Sequence, residues 1–189
     1  MLEDEYFRSG YDIRSMLRVL FSSDAFKTSR FSKVKSPIET VVGTMRLVGD
    51  WTSPKPGFEP IFEEMKHMGQ EPFNPPSVEG WHTGKEWIDG GTLVQRINFI
   101  GDYVGNVNQP GVQDIIESLG SDGTTISPEG LVDGCLRSLG HYELADETRG
   151  MLINQASKWG DLRKGSEEFP RQVGHILQLI VAAKEYIYA

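Results

Sequence analysis

The groups in this chain able to hold a metal or move a proton are its four histidines, its one cysteine and its acidic residues. Their spacing assembles no ready-made site. His67, His82, His141 and His175 are scattered, and neither H-x-x-x-H nor C-x-x-C occurs, whereas a local metal or acid–base site needs partners at fixed spacing. G-x-S-x-G, the phosphate-cradling Walker loop and the dinucleotide fingerprint are also missing. Cys135 falls on an apolar helical stripe, so it reads as a small buried hydrophobe; a reactive thiolate needs a nearby cation or a helix amino terminus. Glu63-Glu64 and Glu167-Glu168 read as solvated faces, and Lys35 and Glu39 flank a helix start where Glu39 already has a structural task. No catalytic residue, metal ligand or cofactor is therefore expected.

One segment has an unusual composition. From Gly69 to Trp87 it reads Gly-Gln-Glu-Pro-Phe-Asn-Pro-Pro-Ser-Val-Glu-Gly-Trp-His-Thr-Gly-Lys-Glu-Trp. Pro72, Pro75 and Pro76 fix φ and restrict the residues before them, while Gly69, Gly80 and Gly84 permit angles or approaches that a Cβ blocks. Phe73, Trp81 and Trp87 supply apolar surface, and His82 beside Trp81 is the best-placed titratable group. These four residues make the candidate ligand surface, an aromatic platform for a sugar or peptide. The competing reading is that the rings pin the loop to the helices, because a long ordered loop needs such anchors.

The elements that position this loop are helices. Ile13, Met16, Leu17, Leu20 and Phe21 repeat at helical spacing, with Ser9 and Asp12 placed as a capping box. Ser36-Pro37-Ile38-Glu39 opens the next helix, with Ile38, Val41, Val42, Met45 and Val48 as its buried stripe and Gly49 as its end. A third runs from about Phe58 to Gly69 with Ile61, Phe62 and Met65 inward. A fourth carries Leu93, Val94, Ile97, Ile100 and Val104. Pro110 opens a fifth, and Ser127-Pro128 a sixth whose stripe includes Leu131, Val132 and Cys135 and which Gly140 closes. A seventh covers about Leu144 to Trp159, and an eighth runs from about Pro170 to the end. No segment alternates with period two, so the expected fold is all-α, an irregular domain of about eight helices around one long Pro/Gly/Trp-rich loop. The polar connector Asn106–Gln109 or the turn Gly120–Thr125 could separate two helical subdomains, 1–105 with the loop and 110–189 packed on it, or the chain is one domain. Leu20–Phe26 echoes Ile180–Tyr186, which reads as two helices ending in the same aromatic tuck.

Bulk composition narrows the partners. A net charge of −8 and no basic run argue against a nucleic-acid or anionic-membrane surface. The longest apolar stretch, Ile176–Ala183, is far too short to span a bilayer. The acidic amino end is not a secretory signal, and Leu2, Tyr6 and Phe7 read as the tail of a helix whose start is missing, so a truncated chain is expected.

The loop closely resembles the signature of the bacterial domain of unknown function 1800 family, G-Q-x-[LP]-[FY]-x-P-P-[NS]-V-x-G-W followed by G-x-x-W-[IL]. The resemblance extends to Tyr11–Arg14, Phe21–Phe26, Val34–Glu39, Arg96-x-Asn98-Phe99 and Ile180–Tyr186, in the family's order and over most of the chain. It implies a helical portion of a longer, commonly exported protein without an established activity, whose amino-terminal part carries an F-W-x-x-H-F type motif not found here. The expectation is a non-catalytic helical binding or scaffold module, its partner an extracellular polymer or a co-encoded protein. The alternative is part of a hydrolase acting on an extracellular polymer, with His82 and nearby carboxylates contributing.

Overall fold

The computed structural model of the chain describes every residue except 30–31, 50–52, 54–55, 58, 121–122, 141 and 189. The fold is all-α. Among the described residues there are eleven helices and, besides them, one two-residue antiparallel pair, Thr125–Ile126 with Leu162–Arg163. The chain divides into two compact units, one ending at Lys33 and one spanning Val34–Tyr188.

The first unit holds α1 (Leu2–Arg8), α2 (Ile13–Ser22) and α3 (Asp24–Thr28). Asp12, rather than Ser9, caps α2: its carboxylate accepts from the Arg14 and Ser15 amides at 3.1 and 3.2 Å. Ser9 Oγ instead receives the Asp12 amide, because the chain turns through Gly10 and Tyr11 at positive φ before the helix starts. The buried carboxylate of Glu5 takes the Ser15 hydroxyl and the Arg8 guanidinium, and those bonds hold its pKa below the usual carboxylate range. Ile13, Leu17 and Phe21 do form one face, but it stays exposed.

The second unit contains α4 (Pro37–Val48), α5 (Glu59–His67), a 3-10 turn at Gly84–Trp87, α6 (Gly90–Gly105), α7 (Pro110–Ser118), α8 (Pro128–Leu139), α9 (Asp146–Ser157), α10 (Phe169–Val181) and α11 (Lys184–Ile187). Its core is built on α6, which packs against α4 and α10, while α8 and α9 pair and lean on α10. The α6–α10 crossing is close because Gly105 and Gly174 face it: a Cβ on Gly105 would collide with the Gln178 side chain, and Gln178 Nε2 donates to Gly101 O at 3.0 Å. Thus a helix before the 106–109 connector and one after it share a core.

Several positions differ from the sequence expectation. Val42 and Val94 are exposed, because the inward face of α4 runs through Thr40, Val41, Thr44, Met45 and Val48, and that of α6 through Arg96, Phe99, Ile100 and Val104. Threonine is tolerated there since Thr44 Oγ1 donates to Thr40 O at 2.8 Å. The expected start of α5 at Phe58 lies outside the described residues. The last helix is not continuous: α10 ends at Val181, Ala183 turns extended at φ −72°, ψ 146°, and α11 follows. Ser23, between α2 and α3, has φ −72°, ψ 148°, so the two echoing segments share a helix–break–helix geometry. Their aromatics differ in burial: Tyr186 is 9 % exposed and Phe26 48 %.

Candidate functional site

Gly69, at φ 95°, ends α5 and starts the loop. The Trp87 ring covers it, lying 3.9 Å from where a Cβ would stand, and Trp87 is itself only 5 % exposed. Thr92 Oγ1 donates to the Trp87 carbonyl at 2.9 Å, tying the end of the loop to the first turn of α6. Asp89 caps that turn, and the amide bonds it accepts lower its pKa. Trp81 is half-buried, and its indole N–H donates to the Glu71 carbonyl at 3.1 Å, so the loop satisfies its own polar handle.

The remaining candidate residues point outward. Phe73 is 94 % exposed and sits at φ 65°, a left-handed conformation in which a bulky side chain is strained. Val78, five residues further along the loop, is fully exposed on a turn closed by Gly80 N–H to Ser77 O at 3.1 Å. His82 Nδ1 lies 3.3 Å from Glu86 Oε2, and both side chains are about two-thirds in solvent. Glu86 also accepts the Thr83 amide at 3.3 Å, so it serves as a turn cap. Of the four candidate residues, Trp87 is buried against Gly69, Trp81 is half-buried and braced by its own hydrogen bond, and Phe73 and His82 are exposed.

A second place gathers residues that sequence spacing keeps apart. Gln70, 8 % exposed, accepts the Ile38 amide at 3.0 Å and so completes the amino end of α4 alongside the Ser36–Glu39 capping box. Arg96 is wholly buried; its Nη1 donates to Lys35 O at 2.6 Å and Thr40 Oγ1 at 3.1 Å, while Nε and Nη2 have no partner. Burial lowers its pKa. Lys35 Nζ donates to Tyr142 Oη at 3.1 Å and Tyr186 O at 2.8 Å, and lies 4.3 Å from the centre of the Tyr186 ring. Lys35, Thr40, Tyr142 and Tyr186 line a hollow of about 400 Å³. A larger hollow, about 630 Å³, lies between α9, α10 and α11, with Met151, Leu152 and Leu179 on its wall and the Gln155–His175 contact at 3.3 Å on its floor.

Arg96 carried no chemical weight in the sequence reading beyond its motif. The signal was there: it stands three residues after Leu93 and four before Ile100, on the inward stripe of α6. His175 was visible only as one isolated histidine, because the α9–α10 pairing that brings Gln155 to it is a tertiary contact. Among the described residues, no three His, Cys, Asp or Glu side chains converge as a metal-binding group.

A family model described as a protein of unknown function, DUF1800, matches residues 1–188. The chain belongs to that family. No curated protein and no solved structure gives a match. Within this DUF1800 chain, four of the segments that carried the resemblance meet around the start of α4: the loop through Gln70, the Val34–Glu39 segment, the α6 motif through Arg96 and the closing segment through Tyr186.

Proposed function

We propose that the chain is a non-catalytic helical binding module whose signature loop presents Phe73 and Val78 to a protein partner. The observation that carries this reading is Phe73, an aromatic side chain almost wholly in solvent on a backbone angle that costs free energy to hold. Natural folds keep such a residue where surrounding structure over-determines it, and here Trp81, Trp87 and three prolines do so. An exposed aromatic and an exposed aliphatic on one stiff loop suit a protein pocket, because little conformational entropy is lost on docking. The loop's acidic residues, Glu71, Glu79 and Glu86, favour a neutral or basic partner rim. The hydrolase reading is less supported, since His82 and Glu86 meet in solvent and nothing there excludes water.

The test is site-specific photo-crosslinking in the producing cell, with the photoreactive group at Phe73 or, as a control, at the exposed Lys85. A single partner captured from Phe73 and not from Lys85, and lost when Val78 is replaced by Asp, is the expected result. Equal capture from both positions would contradict the proposal.

A further inference from the structure

We infer that the hollow at the start of α4 is a binding site for a small organic anion, a carboxylate or phosphate joined to an apolar body. Two cations, Lys35 on its wall and Arg96 behind it, stand there with one carboxylate, Glu39, among the described lining residues. Arg96 is wholly buried with Nε and Nη2 unpartnered, and Lys35 Nζ meets only the Tyr142 hydroxyl, the Tyr186 carbonyl and two aromatic rings. Among the described residues neither forms an ion pair. In a chain of net charge −8 this is a local reversal of sign. A buried guanidinium ordinarily pairs with an anion, because desolvating a lone charge is expensive.

The two cations belong to one construction. Arg96 Nη1 holds the Lys35 carbonyl and Thr40 Oγ1, and Lys35 and Thr40 both line the hollow. Ile100, one turn beyond Arg96 on α6, lines it too, so the guanidinium lies behind the same wall. The positive potential of Arg96 thus reaches the hollow through Lys35 and Thr40 without direct contact.

Lys35 has three N–H donors, of which two are engaged, and the Tyr142 hydroxyl, accepting from Lys35, keeps its own proton to donate. Those two groups can bind an oxyanion together, with Arg46 at the rim adding charge. Glu39, which also lines the hollow, accepts the Ser36 amide at 2.8 Å and so has a capping task there. Leu47, Leu139 and Ile187 supply the apolar wall, and about 400 Å³ lies within the range of small-ligand sites. The amides at the start of α4 are not part of the site, because Gln70 and Ser36 already occupy them. This inference is independent of the loop, so either can fail alone.

Calorimetric titration with benzoate tests it, using benzyl alcohol and benzylamine as neutral and cationic analogues and inorganic phosphate as the bare oxyanion. Benzoate should bind at least about tenfold more tightly than benzyl alcohol, with benzylamine weakest. Lys35→Met keeps the stem between the two rings and removes the charge, and it should weaken benzoate about tenfold; Tyr142→Phe should weaken it about threefold. Phosphate displacing benzoate would support a phosphate-bearing ligand, and failure to displace it a carboxylate. If Lys35→Met does not fold, Tyr142→Phe carries the test. Benzyl alcohol binding as well as benzoate, no benzoate binding at about 10 mM, or unchanged affinity in both variants would overturn the inference.

Discussion

A phenylalanine held at φ 65° with 94 % of its surface in solvent contributes nothing to a core, so its replacement separates local strain from folding. Glycine adopts that angle freely. Phe73→Gly should therefore keep the fold and match or exceed the parent's stability, by up to about 1 kcal/mol after the extra chain entropy of glycine is counted. Thermal melting checks it, and a clear drop in midpoint would mean that the ring packs on something. The residue scale is also where sequence reasoning was weakest. The types in the loop were legible as prolines that stiffen, glycines that turn and rings that anchor or reach out. Which ring does which was not, since Trp87 and Phe73 differ only in what folds around them. Arg96 makes the same point inside α6, where a charged type stands on an apolar stripe.

Helix starts were legible because their caps are local chemistry. Ser36-Pro37-x-Glu39 and Ser127-Pro128 each mark an amino end where the structure places one, while Ser9 lost its role to Asp12 because positive-φ residues intervene. The inward faces were less secure: Thr40 and Thr44 beat Val42 because α6 lies on their side of α4. Close approach is the feature sequence could not show. Gly111 on α7 stands against the Leu47 carbonyl of α4, where a Cβ would overlap backbone, whereas Gly101 on α6 faces open space. Gly111→Ala should cost about 2–3 kcal/mol through forced separation of the helices. Gly101→Ala should be neutral or stabilise by about 0.5–1 kcal/mol through helix propensity. Urea denaturation of the two variants reads the contrast, and equal effects would refute the α4–α7 packing.

For the whole molecule, an all-α fold followed from unbroken helical periodicity, and the family from one loop. The close approach of α6 and α10 across the 106–109 connector was not legible, because interlocking glycines are silent in periodicity. The core of the second unit has a pH signature. Cys135 is fully buried, and desolvation pushes its thiol up to about 12 from an ordinary 9.0, so folding favours the neutral form. The unfolded thiol ionises first as pH rises, so this contribution is complete below about 9 and is lost between there and about 12. The denaturation midpoint should fall over that window, less steeply in Cys135→Ala, and an aromatic disulfide reagent should modify the thiol only after unfolding.

Within the signature loop Trp87 is buried while Phe73 and Val78 stand in solvent, the division on which the proposed partner surface depends. Equilibrium denaturation of Trp87→Ala beside the double variant Phe73→Ala/Val78→Ala tests that division most directly. Trp87→Ala should lose about 3–5 kcal/mol, the scale of a core aromatic truncation, and the double variant less than about 1 kcal/mol. A parent-like melt for Trp87→Ala, or a loss in the double variant as large as a core truncation, would contradict it.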